Sequence, residues 1–267
     1  MAPVLCGRNV AIVRRGRPLV RRVLGGDGES QCRCCDGGRP LAVVDILWSP
    51  GLDWAGTIWD GMSTASNTYG VPIVGGHTTV TKEDSTFLAA AVLGKANRLI
   101  TSFDAVPGDD LLVAIDLRGS WRNDKPFWNA STGAPPERLR ADLELLPLIA
   151  EMGWCRSGKD ISNGGVVGTL AMLLQCSPAG AELRLDQLPR PHGVDLARWL
   201  ISFPSFGYLL SVAPEFSDHV TEQFAKREIA CAVAGRITAD RSLLLRYGGA
   251  RAPFPFSEAS DPHARSR

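Results

Sequence analysis

Two glycine-containing segments carry the residue types from which a phosphate or metal site could be made. The first is Gly75-Gly76-His77-Thr78-Thr79, which follows a short apolar run at 71–74. Paired glycines let backbone amides approach an anion closely, and hydroxyls or a ring nitrogen can complete its shell. The plain alternative is a turn with a capping threonine, because short glycine-rich loops are common turns. The second is Lys159-Asp160-Ile161-Ser162-Asn163-Gly164-Gly165, directly before an apolar helical pattern at 166–176. Ser162 or Asn163 would cap that helix, whose freed amides and positive end would form an anion site. Asp160, just upstream, could hold a Mg2+ that bridges to a bound phosphate. Capping alone also explains Asp, Ser and Asn at a helix start, and neither spacing identifies a reaction.

These segments must be positioned by the elements around them. Residues 41–47 are an apolar, β-branched run of strand length. A helix is predicted over 53–69, ended by Gly70. A short buried strand at 71–74 should then lead into residues 75–79 as a polar loop, and 86–93 form a further strand. Pro107-Gly108-Asp109-Asp110 is a turn signal, and the boundary between two units is placed beside it, at 104/105. Beyond it, strands are predicted at 111–117, 206–213, 233–237 and 242–247. Helices are predicted at 137–152, 163–176 and 214–229. Pro147 falls inside the first of these and should kink or divide it. Residues 248–267 show no period and are expected to be a mobile tail. Alternating strands and helices predict an α/β or α+β architecture.

The chain has 267 residues, 45% apolar and 21% charged, with a net charge of +1. That composition suits a globular protein and excludes a collagenous, fibrous or disordered one. No run approaches the roughly 20 apolar residues of a membrane span. Cys6, Arg8 and Asn9 interrupt any secretory leader, so a cytoplasmic location is the default. The patterns G-x-x-x-x-G-K-[ST], G-x-G-x-x-G, G-x-S-x-G and H-E-x-x-H do not occur. P-loop ATPases, Rossmann oxidoreductases and α/β-hydrolases are therefore disfavoured.

The first forty residues are of a different composition. They hold eight Arg against three acidic residues, and four of the seven cysteines. Cys32-x-Cys34-Cys35 lacks the second ligand pair of a structural zinc site. The cluster Arg14, Arg15, Arg17, Arg21 and Arg22 has no aromatic neighbour on which bases could stack. A solvated or disordered basic leader over 1–36 is one reading, with no strand or helix expected in it. A sharper one is translation out of frame. With one permitted codon choice, a one-base shift turns residues 30–36 into Val-Asn-Val-Asp-Ala-Ala-Met, running into Gly37-Gly38-Arg39-Pro40. Cys155, Cys176 and Cys231 read as small core residues.

GVPIVGGHTT (70–79), PGDDLLVAIDL (107–117) and KDISNGGVVGTLAMLLQCS (159–177) resemble the aminoimidazole ribonucleotide (AIR) synthetase superfamily. Its other members include thiamine-monophosphate kinase, selenophosphate synthetase and the hydrogenase maturation dehydratase. With RPLAVVD (39–45) and ARWLISFPSFGYLLSV (197–212), the chain is most similar to the AIR synthase-related subgroup, over residues 37–247. The resemblance implies an α/β (α+β) fold of two domains. One is an N-terminal sheet domain at 37–104, incomplete here, that pairs its sheet across a homodimer; the other is a C-terminal α/β domain at 105–247. It implies ATP and Mg2+ as cofactors, and phosphorylation of a carbonyl oxygen or another nucleophile on a small molecule. Gly75, Gly76, His77 and Thr78 would contact the nucleotide and Asp160 would be linked to the metal. Lys159 and Asn163 would face phosphate or substrate as the catalytic pair. His77 stands where the kinase branch has Asp and the selenophosphate branch a histidine. Asn163 replaces an acidic group of the family's D-I-S-D-G element. The family's upstream acidic D-D-x-A element and glycine-rich phosphate segment have no match before residue 37. The expectation is thus an ATP/Mg2+-dependent enzyme or a defective copy of one. The alternatives are a non-catalytic dimerisation or small-molecule-binding subunit and, within the superfamily, a thiamine-monophosphate kinase-like activity. Neither nucleic acid nor membrane is expected as a partner.

Overall fold

The computed structural model describes residues 2–5, 9–14, 37–82, 85–122 and 125–256. The chain divides into two units, Met1–Leu99 with Ser131–Leu148, and Ile100–Ala130 with Ile149–Arg267. The mixed α/β class agrees with the sequence. The division falls between Leu99 and Ile100 rather than at 104/105, and residues 131–148 return to the first unit.

The first unit contains β1 (Ala2–Leu5), β2 (Asn9–Arg14), β3 (Arg39–Ser49), α1 (Leu52–Tyr69), β4 (Ile73–Val80) and β5 (Ser85–Ala96). Its sheet runs β1-β5-β3-β4, with β2 also paired to β5. β3 and β4 are parallel, joined through α1, whereas β5 is antiparallel to β3. Along β3, Asp45, Leu47 and Ser49 are buried while Val44 and Ile46 are exposed, which is the period-two pattern of a sheet covered on one face. Ala55, Ile58 and Met62 of α1 pack with Leu47 and Leu88 to make the covering layer. Fully burying a side chain such as Ile58 contributes roughly 1.5–3 kcal/mol. Gly70 ends α1 in the left-handed region (φ 71°), where its N–H donates to Ser66 O at 2.8 Å.

The expectation that no strand precedes residue 37 is corrected at two places. β1 pairs with residues 93–96 of β5, and β2 with residues 85–90. Val10-Ala11-Ile12-Val13 is an apolar, β-branched run that a composition averaged over forty residues concealed. The cysteine cluster at 32–35, the arginines at 15–22 and the seven residues of the frame-shift reading lie outside the described residues.

The single helix expected at 137–152 is two, α2 (Pro136–Leu143) and α3 (Leu145–Glu151). The break is at Glu144, before Pro147. Pro147 divides the helix as expected: it can neither bond to nor pack against the Leu143 carbonyl, so the first helix stops there, and Pro147 becomes the third residue of α3, where no helical acceptor is lost. In the first unit, Arg140 of α2 donates to the carbonyls of Asn67 at 2.5 Å and Thr68 at 2.8 Å, fastening α2 to the end of α1.

The second unit adds β6 (Asp110–Ile115), β7 (Ser120–Trp121), β8 (Phe127–Asn129), β9 (Ser157–Asp160), α4 (Gly165–Cys176) and β10 (Gly180–Arg184). After these come α5 (Leu196–Leu200), β11 (Phe203–Pro204), β12 (Gly207–Val212), α6 (Pro214–Ala225), β13 (Ala230–Thr238), β14 (Leu243–Tyr247) and β15 (Ala250–Phe254). Seven strands form one sheet in the order β15-β14-β10-β13-β6-β12-β9. β12 is buried at every residue, as a strand covered on both faces must be. Leu170, Leu173 and Leu174 of α4 pack in the core with Leu183, Leu209 and Ile237. The expected mobile tail is corrected at 250–254, which pairs antiparallel with β14. No helix among the described residues is long and apolar enough to cross a membrane.

Two of the three cysteines meet the core expectation to different degrees and one does not. Cys155 is buried, Cys231 half-buried and Cys176 exposed. Burial pushes the Cys155 and Cys231 thiols up to about 12. The thiolate is the nucleophile, so both should resist alkylation in the folded chain. Brief iodoacetamide treatment followed by peptide mapping is expected to label Cys176 and to spare Cys155 and Cys231. Equal labelling of all three would contradict this packing.

Candidate functional site

The GGHTT segment is a strand and not a loop. Residues 75–79 lie inside β4, in parallel register with residues 44–48 of β3. Val44, Ile46 and Trp48 stand beside Gly75, His77 and Thr79, while Asp45 and Leu47 stand beside Gly76 and Thr78. Alternation therefore places Thr78 on the face covered by α1 and His77 on the opposite, exposed face. The four residues do not form one cradle of side chains. What they share is the edge of the sheet, since β4 pairs on one side only among the described residues.

Asp45 is the unusual neighbour of this strand. It is 2% exposed, and neither carboxylate oxygen has a hydrogen-bond partner on another residue. A Cβ on Gly76 would stand 2.9 Å from the Asp45 Cγ and 2.8 Å from its carbonyl oxygen, so only glycine leaves room for this carboxylate. Burial pushes the Asp45 carboxyl above its ordinary value, which its own main chain offsets only in part. A carboxyl raised on folding contributes stability below its unfolded value, near 3.8, and loses it as pH rises through the folded value. As pH rises above about 4, Asp45→Asn is therefore expected to gain urea stability relative to the parent chain. Parallel pH profiles of the two proteins would show that the group is not desolvated.

In the second unit, Lys159 and Asp160 end β9, at the edge of the seven-stranded sheet, paired with Leu209 and Tyr208 of β12. Lys159 Nζ lies 3.6 Å from Asp160 Oδ1, and the Asp160 side chain is 14% exposed. Asn163 is exposed. The expected side-chain cap is corrected: Gly164 is the N-cap of α4, with no side-chain cap bond. The Ser162 N–H instead donates to Thr169 Oγ1 at 3.1 Å, and the Gly165 N–H to Ser162 O at 2.8 Å. This fold-back needs Gly165 at φ 63°, where a Cβ would stand 2.8 Å from Leu200 C and 2.9 Å from Ile201 Cα. The backbone at 200–201 thus closes over the start of α4.

Sequence reasoning missed the ion pairs of this unit, among them one with a buried carboxylate. Asp116, 2% exposed just past β6, accepts from Arg118 Nε at 2.8 Å and from Arg118 Nη2 at 3.1 Å. An Asp leaving an apolar strand with Arg two residues on was the available signal. Among the described residues, no group of three or more His, Cys, Asp or Glu side chains comes together as a ready-made metal centre.

Both units agree with known proteins. AIR synthase related protein, N-terminal domain, matches residues 34–96, and AIR synthase related protein, C-terminal domain, matches residues 118–248. An uncharacterised protein of Synechocystis sp. is 46% identical over 213 residues, 79% of this chain. The match covers 66% of that relative, so the chain spans just under two thirds of its length. T. maritima PurL complexed with ATP superimposes with a TM-score of 0.76 at 18% identity, over 97% of this chain and 45% of that one. E. coli HypE, a hydrogenase maturation protein, does so at 0.72 and 16%, over 97% and 87%. These structural likenesses establish the fold. Taken with the two matched domains, in the same order along the chain, they lead to one assignment: the chain belongs to the AIR synthase-related protein family.

Proposed function

We propose that this protein is an ATP- and Mg2+-dependent enzyme that transfers a phosphoryl group to a small molecule. The observation that carries the reading is the two-domain AIR synthase-like architecture, with the glycine-rich strand at 75–79 and the K-D-I-S-N-G-G segment each held at a sheet edge. In the first unit, Gly75 and Gly76 offer main-chain groups to the nucleotide without side-chain obstruction, and Thr78 adds a hydroxyl. His77 contacts the nucleotide from the other face of the strand. In the second unit, the Lys159 ammonium neutralises phosphate charge, Asn163 holds the substrate and Asp160 is linked to the metal. When bound, Mg2+ supplies charge neutralisation on the phosphates, which is the main demand of this chemistry. Asp160→Asn is expected to weaken Mg-ATP binding about tenfold in calorimetry while leaving the unfolding midpoint within about 1 °C, because the exchange is nearly isosteric. Unchanged affinity would remove Asp160 from the metal site.

A second reading is a dimerisation subunit without catalysis. It is favoured by the exposed face of the first sheet, where Val44, Ile46 and Leu93 are 46%, 42% and 40% exposed. The same face supports a homodimer in either reading. Dimers with no affinity for Mg-ATP would select the second reading.

A further inference from the structure

We infer that Asp45 and the backbone around Gly76 form a divalent-cation site at the edge of the first sheet. The inference deepens the proposed function, because it rests on strand 73–80 being the ligand-binding edge. Asp45 is 2% exposed with both carboxylate oxygens bare, whereas Asp160 already has an ammonium at 3.6 Å. Native proteins pair their buried polar groups, so a carboxylate with no donor from another residue marks a place where a ligand completes the set. The carboxylate reaches from β3 onto Gly76 of β4, where a side chain of any size is excluded. Gly75 and Gly76 are themselves exposed and belong to the strand that edges this sheet among the described residues. Hard cations take carboxylate and main-chain carbonyl oxygens, and Mg2+ commonly uses only one or two carboxylates, keeping waters for phosphate oxygens to replace. One buried carboxylate at a glycine edge matches that requirement without a cluster of acids.

A group kept at a cost to stability also predicts its own test. Asp45→Asn removes the desolvated charge but keeps the shape, so without cation the variant is expected to unfold about 3 °C higher than the parent chain. Added MgCl2, with choline chloride holding ionic strength constant and no nucleotide present, is expected to raise the parent midpoint by a similar amount and to leave Asp45→Asn unmoved. Gly76→Ala, with Asp45 intact, should lose the Mg2+ response as well, because its Cβ displaces the carboxylate. A lower midpoint for Asp45→Asn, or a Mg2+ response that survives in it, would overturn the site, as would no response in the parent chain. A Mg2+ response confined to the parent chain, with no ATP binding, would uphold the site and remove the nucleotide reading. Equal Mg-ATP affinity in parent and Asp45→Asn would do the reverse.

Discussion

Gly165→Ala is expected to destabilise the second unit by about 4 kcal/mol, lowering its unfolding midpoint by about 10 °C. Two costs combine. At φ 63° the backbone is in the left-handed region, which alanine occupies only with strain. The added Cβ would also press on Leu200 C at 2.8 Å and Ile201 Cα at 2.9 Å. Both are main-chain atoms at the junction of α5 and β11, so no rotamer change relieves the contact. Gly168, three residues on, is the internal comparison. It has ordinary helical geometry and open space where its Cβ would go. Gly168→Ala should therefore be neutral or stabilise by up to about 1 kcal/mol, the helix-propensity gain. Thermal unfolding of the two variants side by side separates the roles. Similar midpoints for both would mean that the turn at 162–165 opens without loss, and that the backbone at 200–201 does not close over α4.

Why the two glycine segments were legible to different degrees follows from what each depends on. The strand at 39–49 and the helix at 52–69 were visible because their apolar periods are local. So were α4 and β12, whose apolar runs are nearly continuous. The GGHTT segment read as a loop because glycine and threonine in sequence resemble turn chemistry. Its pairing with β3 is decided by residues about thirty positions away, and two glycines cost little where β3 supplies the ladder. The Ser162 and Asn163 caps looked sound for the same local reason. Thr169 took the Ser162 amide instead, and Gly165 turned the chain under residues 200–201, a contact no local pattern announces. Asp45 was visible as an acid inside an apolar run, open to a cation role beside Asp160 or to a buried or strand-edge structural one. Its burial and its bare oxygens come from packing against α1 and from the missing side chain at Gly76. The residues of both segments carry the family resemblance.

Val44→Asp with Ile46→Asp is expected to convert a homodimer into a monomer, raising the dissociation constant at least 100-fold in sedimentation or light-scattering measurements. Val44 and Ile46 are 46% and 42% exposed on β3, and Leu93 of β5 is 40% exposed. The register places Val44 beside Ala91, and Ala42 beside Leu93, so these side chains share the face opposite α1. A sheet face that remains this apolar in water is marked for burial against a partner. An aspartate enclosed there without a counter-charge costs several kcal/mol, and two such groups per chain meet again across a two-fold axis. The fold itself should tolerate both changes, because neither side chain belongs to the layer formed with α1. The unfolding midpoint of the variant monomer, set against the parent chain diluted below its dissociation constant, checks that point. His77 stands beside Ile46 on the same face, so a dimer formed through this sheet would bring His77 of each chain to the interface. Loss of Mg-ATP affinity together with the dimer would tie nucleotide binding to the His77 side of the strand. Retained affinity in the monomer would assign it to the α1-covered side, where Thr78 and Asp45 lie. A parent chain that is monomeric at all concentrations, or a double variant that still dimerises, would remove this face as the interface.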